Sequence, residues 1–220
     1  QYQAVRSLAE LLHDRQRELE AAEVLAKISV PGEDSLVEEF EEDSENVSRM
    51  YYFHSEHHRL RGERDKQIEF LNKAVEAYPQ DADVLIAMHR LPRASERWRK
   101  RTSQLIADAV KSFEDLLKGF RVAGEFENKS AVGITLNQLA WLVSNTEGDF
   151  EKAIRLSRRS LELRPGRGES LDTLGRAYFA VGDFERAIRY QRRAVRKLPH
   201  SQQIVRQLEE FEAQAAGEPN

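Results

Sequence analysis

The sequence contains no cysteine, which excludes a disulfide framework, a thiol nucleophile and a zinc site with cysteine ligands. Glycine and proline are scarce, at 11 and 6 of 220 residues, a composition typical of helices with solvated outer faces. No run of about 18 apolar residues is present and no signal peptide opens the chain, so we expect no membrane insertion. The chain does not begin with methionine, so we expect either a processed chain or part of a larger polypeptide. The sequence leaves the compartment undetermined, with the cytoplasm as the default.

Charge is sorted along the chain, although the net charge is only -4. Carboxylate side chains crowd positions 33–45, whereas arginine and lysine crowd positions 152–197. Such runs usually form solvated helix faces. The basic run also leaves a second interpretation open, the binding of a polyanion.

An internal repeat organises the C-terminal part of the chain. The segment at 148–155, GDFEKAIR, returns as GDFERAIR at 182–189, and Pro165 returns as Pro199, each 34 residues later. The preceding helix also returns, because Leu136, Leu139, Ala140 and Val143 correspond to Leu171, Leu174, Gly175 and Tyr178. A fixed period of this length is typical of stacked helical pairs.

This pattern resembles the tetratricopeptide repeat family. The positions that carry the resemblance are Leu171, Leu174, Gly175, Tyr178, Gly182, Ala187, Ala194 and Pro199. Gln191 stands where the family usually has an aromatic residue. The resemblance implies an all-α fold, a right-handed α-solenoid of antiparallel helix pairs.

Simple stereochemistry supports the same assignment. Gly182 can take the left-handed conformation that ends a helix, and Asp183 can cap the next one. Small side chains at Gly175 and Ala194 allow two antiparallel helices to approach closely, and Pro199 stops the second helix.

We expect one solenoid over residues 1–220. Its predicted parts are a degenerate repeat at 1–30, an acidic linker at 31–47, a repeat at 48–81, an atypical repeat at 82–130 with a long helix and a loop at 119–130, repeats at 131–167 and 168–200, and a capping helix at 201–215.

No catalytic motif is present, so we predict no enzyme, no catalytic residue and no cofactor. His54 and His58 lie four residues apart on one helix face and could both reach a metal, with His89 as the candidate third ligand. In the repeat, His54 and His58 occupy the positions that correspond to Leu174 and Tyr178. Both side chains should therefore face the partner helix, so we predict no metal site.

In tetratricopeptide arrays the first helices of successive pairs line a concave groove, and the resemblance implies the same here. The candidate groove residues are Tyr52, Phe53, Glu56, Arg59, Asn137, Trp141, Ser144, Asp172, Arg176 and Phe179. Aromatic residues and arginine make good binding anchors. In the alternative interpretation, Trp141 and Phe179 only fill the contact between neighbouring first helices.

The predicted function is a non-catalytic scaffold that binds a protein or peptide in this groove. Negative charge at Glu56, Glu169 and Asp172 argues against the family subtype that clamps the C-terminal carboxylate of chaperones. The alternative is polyanion or nucleic-acid binding by the arginine-rich C-terminal helices, and the acidic net charge makes nucleic acid the weaker candidate. A third hypothesis is a non-catalytic module of a larger enzyme.

Overall fold

A computed structural model describes residues 2–28, 37–123 and 128–217, and the regular elements within these ranges are all α helices. They are α1 (Tyr2–Asp14), α2 (Glu18–Ala26), α3 (Val37–Leu60), α4 (Arg64–Ala77), α5 (Ala82–His89), α6 (Glu96–Ala123), α7 (Lys129–Asn145), α8 (Phe150–Leu163), α9 (Gly168–Ala180), α10 (Phe184–Lys197) and α11 (Gln202–Ala216). Over the described ranges, no helix has the length and apolar character needed to cross a bilayer.

The chain divides into two compact units, residues 1–105 and 106–220. Unit 1 contains α1 to α5 and the start of α6, and unit 2 contains the rest of α6 and α7 to α11. Consecutive helices pack together within each unit, most extensively α3 with α4 in unit 1, and α7 with α8 and α9 with α10 in unit 2. In unit 1, α2 also packs against both α1 and α3. The prediction of an all-α fold built from successive helix pairs is therefore confirmed.

The α9–α10 pair depends on small residues at its crossing. A Cβ atom on Gly175 would lie 2.7 Å from the Oε1 atom of Gln191 and 3.3 Å from the carbonyl oxygen of Ala187. Ala187 and Ala194 are fully buried in the same contact. Gly182 ends the turn between the helices at a φ of +78°, and the Asp183 side chain accepts a hydrogen bond from the Arg186 amide.

Gln191 replaces the usual aromatic residue with a fully buried amide. Its Nε2 atom donates to Oδ1 of Asp172 in α9 and, over 3.0 Å, to the carbonyl oxygen of Ile204 in α11. The Gln207 amide in α11 donates to the same Asp172 oxygen over 2.9 Å. Polar groups from three helices thus satisfy one another inside unit 2.

Unit 1 carries a different polar cluster, centred on Arg49 in α3. Its guanidinium contacts Glu10 in α1 at 2.8 Å and Asp83 in α5 at 2.6 Å. Beside it, Asp81 caps α5 and accepts a hydrogen bond from the Ser48 hydroxyl over 3.1 Å. Burial raises the pKa of Asp81 to about 6, and Arg49 offsets only part of that rise.

Two helices extend beyond their predicted limits. Helix α3 begins at Val37, inside the segment predicted as an acidic linker, and α6 continues to Ala123, inside the predicted loop at 119–130. Glutamate has good helix propensity and favours the first turns of a helix, so a glutamate-rich run need not be a linker. Residues 31–36 of that linker and 124–127 of that loop lie outside the described residues.

We expect Gly175→Ala to lower the free energy of unfolding by about 1–3 kcal/mol, because the added methyl group meets Gln191 and the α10 backbone. Gly119→Ala in α6 is the matched control, since its added Cβ meets no described heavy atom within 4 Å apart from its chain neighbours and its own helix backbone. The free energy of unfolding of this control should rise by about 0.5–1 kcal/mol, because alanine has a higher helix propensity than glycine. Urea unfolding followed by circular dichroism measures both, and equal behaviour of the two variants contradicts the close crossing.

We expect Asp81→Asn to become more stable relative to the wild type as the pH rises. Between an ordinary pKa of 3.8 and the raised value of about 6, the unfolded chain releases this proton before the native chain does, so Asp81 lowers native stability as the pH rises. The asparagine keeps an oxygen to cap α5 and does not titrate. The difference between the two unfolding free energies should grow by about 1–3 kcal/mol from about pH 4 to pH 7, and a constant difference rejects the raised pKa.

Candidate protein-binding surface

The first helices of the unit 2 pairs, α7 and α9, pack against each other. Helix α11 contacts α9 through side chains spaced about one repeat apart. The Arg176 guanidinium lies 3.1 Å from the Glu210 carboxylate, and the rings of Phe179 and Phe211 stack with centroids 4.3 Å apart. Helix α11 therefore covers much of one side of α9.

The predicted groove residues of α3 are mostly buried in unit 1. Tyr52, Phe53 and Glu56 are buried. The His13 ring of α1 lies against the first two, with centroids 5.7 and 4.9 Å away. Only Arg59 is exposed, and it forms an ion pair with Glu56 at 2.8 Å. Tyr52 and Phe53 therefore offer little surface to a partner, because His13 of α1 lies against both rings.

The predicted residues of α7 and α9 divide into two groups. Ser144 is buried and donates to the Ala140 carbonyl over 2.6 Å, and Asp172 is buried against Gln191 and Gln207. The other four, Asn137, Trp141, Arg176 and Phe179, are half-buried. Phe179 fills the contact with α11, as the alternative interpretation proposed for it, so it offers little free surface.

A common cause explains why five predicted residues are buried. Helical period identifies the residues that lie opposite a helix's own partner, but a first helix in a stack also has neighbours in the adjoining pairs. The face opposite the partner is therefore partly a helix contact. Tyr52 and Phe53 belong to such a contact, because His13 of α1 lies against both rings. Asp172 is bonded both to Gln191 of its partner helix α10 and to Gln207 of α11.

What remains partly open on α7 and α9 we call the α7–α9 surface. It consists of Ile134, Asn137, Trp141, Glu169 and Arg176. Two polar atoms within it, Oδ1 of Asn137 and Nε of Arg176, are buried and have no hydrogen-bond partner among the described residues. Unpaired buried polar atoms cost about 1–3 kcal/mol each, so a ligand that draws the two side chains outward and pairs with these atoms is favoured.

Sequence reasoning missed Ile134, whose side chain is 40% exposed. It lies three residues before Asn137 and seven before Trp141, so helical period alone could have placed it on the same stripe. The histidines follow their predicted register, because His54 and His58 both stack on Phe70 of α4, with centroids 4.8 and 5.3 Å away. No group of three potential metal ligands is found in the described part of the chain.

Comparison with known proteins gives a family match for the helix pair formed by α9 and α10. Residues 168–197 match the model of the tetratricopeptide repeat family, which confirms the predicted resemblance over this segment. The match covers α9 and α10, whose packing is described above.

Two solved structures are similar to the chain at low sequence identity. It is similar to the MamA protein, at 16% identity and a TM-score of 0.41 over 78% of this chain and 83% of that one. It is also similar to the TPR domain of P58(IPK), at 15% identity and a TM-score of 0.36 over 98% of this chain and 66% of that one. No curated protein matches the chain.

Proposed function

We propose that this chain is a non-catalytic scaffold that binds a peptide segment of a partner protein on the α7–α9 surface. Tetratricopeptide repeats commonly serve protein–protein interaction, and the repeat at 168–197 supplies one of the two helices of this surface. The observation that carries the proposal is the pair of unpartnered buried atoms, Asn137 Oδ1 and Arg176 Nε, on neighbouring first helices.

The chemistry of the surface suits a peptide backbone. Both atoms are buried, so binding requires each side chain to rotate toward the surface. Asn137 Oδ1 can then accept a hydrogen bond from a peptide N–H, and Arg176 Nε can donate one to a peptide carbonyl. Such main-chain bonds give affinity without requiring a particular side chain.

Apolar contact would come from Ile134 and the half-buried Trp141. A tryptophan at the centre of an interface contributes a large contact area at a small cost in side-chain entropy. We therefore expect the bound segment to place an apolar side chain against Trp141 and to lie with its backbone near Asn137 and Arg176.

The test is selection of short random peptides on the whole chain, followed by titration of a selected peptide by fluorescence anisotropy. We expect the Asn137→Ala, Trp141→Ala double variant to bind at least about tenfold more weakly, because it loses a buried anchor and a hydrogen-bond acceptor. Arg176 is left intact, since its ion pair with Glu210 holds α11.

Val122→Ala in α6 is the control, because it removes an apolar side chain that is 91% exposed and lies outside the α7–α9 surface. It should bind like the wild type. Thermal unfolding of each variant separates loss of binding from loss of fold. Selected peptides that bind the double variant and the wild type equally would reject this surface as the binding site.

A further inference from the structure

A stacked pair of tyrosines lies on the side of unit 2 formed by the second helices, α8 and α10. The rings of Tyr178 and Tyr190 are nearly parallel, at 6°, with centroids 5.5 Å apart. Tyr178 is buried and Tyr190 is half-buried. The hydroxyl of Tyr178 accepts a hydrogen bond from Arg158 of α8, which ties α8 to the pair.

Four guanidinium groups surround these two rings. Arg158 and Arg186 lie 5.7 and 5.5 Å from the centroid of Tyr178. Arg189 and Arg193 lie 5.8 and 5.3 Å from the centroid of Tyr190. Contact with an aromatic ring restricts an arginine side chain while its N–H groups stay available, so less entropy is lost when it binds an anion.

The positive charge of this cluster is not neutralised within the described chain. All four arginines are exposed, and among the described residues only Arg186 has a carboxylate partner, Asp183 at 3.1 Å. The nearby Arg155, Arg159 and Arg192 pair with Asp149, Glu162 and Glu212. Uncompensated charge is therefore concentrated at Arg158, Arg189 and Arg193, which we call the arginine–tyrosine site.

A short acidic peptide fits this site better than a nucleic acid does. Single-stranded nucleic acids stack their bases on open aromatic faces, but here the tyrosine rings cover each other and carry arginines. Duplex binding draws on a long track of basic side chains, about 6–10 phosphate contacts in a typical case. Among the described residues, the site has three guanidinium groups without a carboxylate partner, and the neighbouring arginines already have one. This number suits two or three carboxylates of a peptide, which arginine binds in a bidentate geometry.

We propose that the arginine–tyrosine site is a second interaction surface, which binds a glutamate- or aspartate-rich segment of a protein partner. The site lies on the α8–α10 side of unit 2 and uses none of the residues of the α7–α9 surface. The two surfaces can therefore be tested independently.

The probe is a fluorescein-labelled peptide of six consecutive glutamates, titrated with the whole chain by anisotropy at about 50 mM salt, where charge contacts are weakly screened. We expect binding that weakens steeply at about 500 mM salt, and a loss of at least about fivefold in the Arg189→Gln, Arg193→Gln variant. Arg158 is kept because it holds the Tyr178 hydroxyl.

The matched control is Arg97→Gln, Lys100→Gln in α6, which removes the same charge from exposed residues of unit 1. It should change the affinity by less than about twofold, since the altered charges are not part of the arginine–tyrosine site. An equal loss of affinity in both double variants would mean that net charge alone governs binding, and would overturn the site. Binding of a six-glutamine peptide as tightly as the glutamate peptide would also overturn it. So would a single-stranded oligothymidylate that binds more tightly than the glutamate peptide and loses affinity equally in the Arg189→Gln, Arg193→Gln variant.

Discussion

The close approach of two antiparallel helices at small side chains governs the structure of this protein. In the pair formed by α9 and α10, Gly175 leaves no room for a side chain, and Ala187 and Ala194 bring the backbones together. Since one side of each helix is committed to this contact, the remaining sides are left for neighbouring pairs and for solvent. The two proposed surfaces lie on the helix sides that remain partly exposed to solvent, one on the first helices of the pairs and one on the second helices.

The helix pairs could be predicted from sequence because their signals are local. In the pairs α7–α8 and α9–α10, a glycine of positive φ and a capping aspartate mark the turn and a proline follows the second helix, and the 34-residue period repeats all three. The acidic segment carried no such marks, so its helical part, from Val37, was missed. Backbone hydrogen bonding and the helix propensity of glutamate make this segment helical. Neither produces the periodic spacing of apolar residues by which a helix is recognised in a sequence.

The binding surface was harder to predict because it depends on contacts between distant parts of the chain. Asn137, Trp141 and Arg176 were identified and remain partly accessible, whereas Tyr52, Phe53 and Asp172 lie in helix contacts. Period gives the direction of a side chain but does not say which helix lies in that direction. The stacked tyrosines escaped notice for the same reason, since Tyr178 and Tyr190 meet only when α9 and α10 pair.

Gln191 has a consequence for how unit 2 comes apart. Its amide bonds to Asp172 in α9 and to the backbone of Ile204 in α11, while Gln207 shares the same aspartate. If α11 detached alone, those buried groups would lose partners inside an apolar contact, at a cost of about 1–3 kcal/mol for each. Fraying from this end is therefore penalised, and α9, α10 and α11 should open as one cooperative block, although repeat arrays often unravel one element at a time.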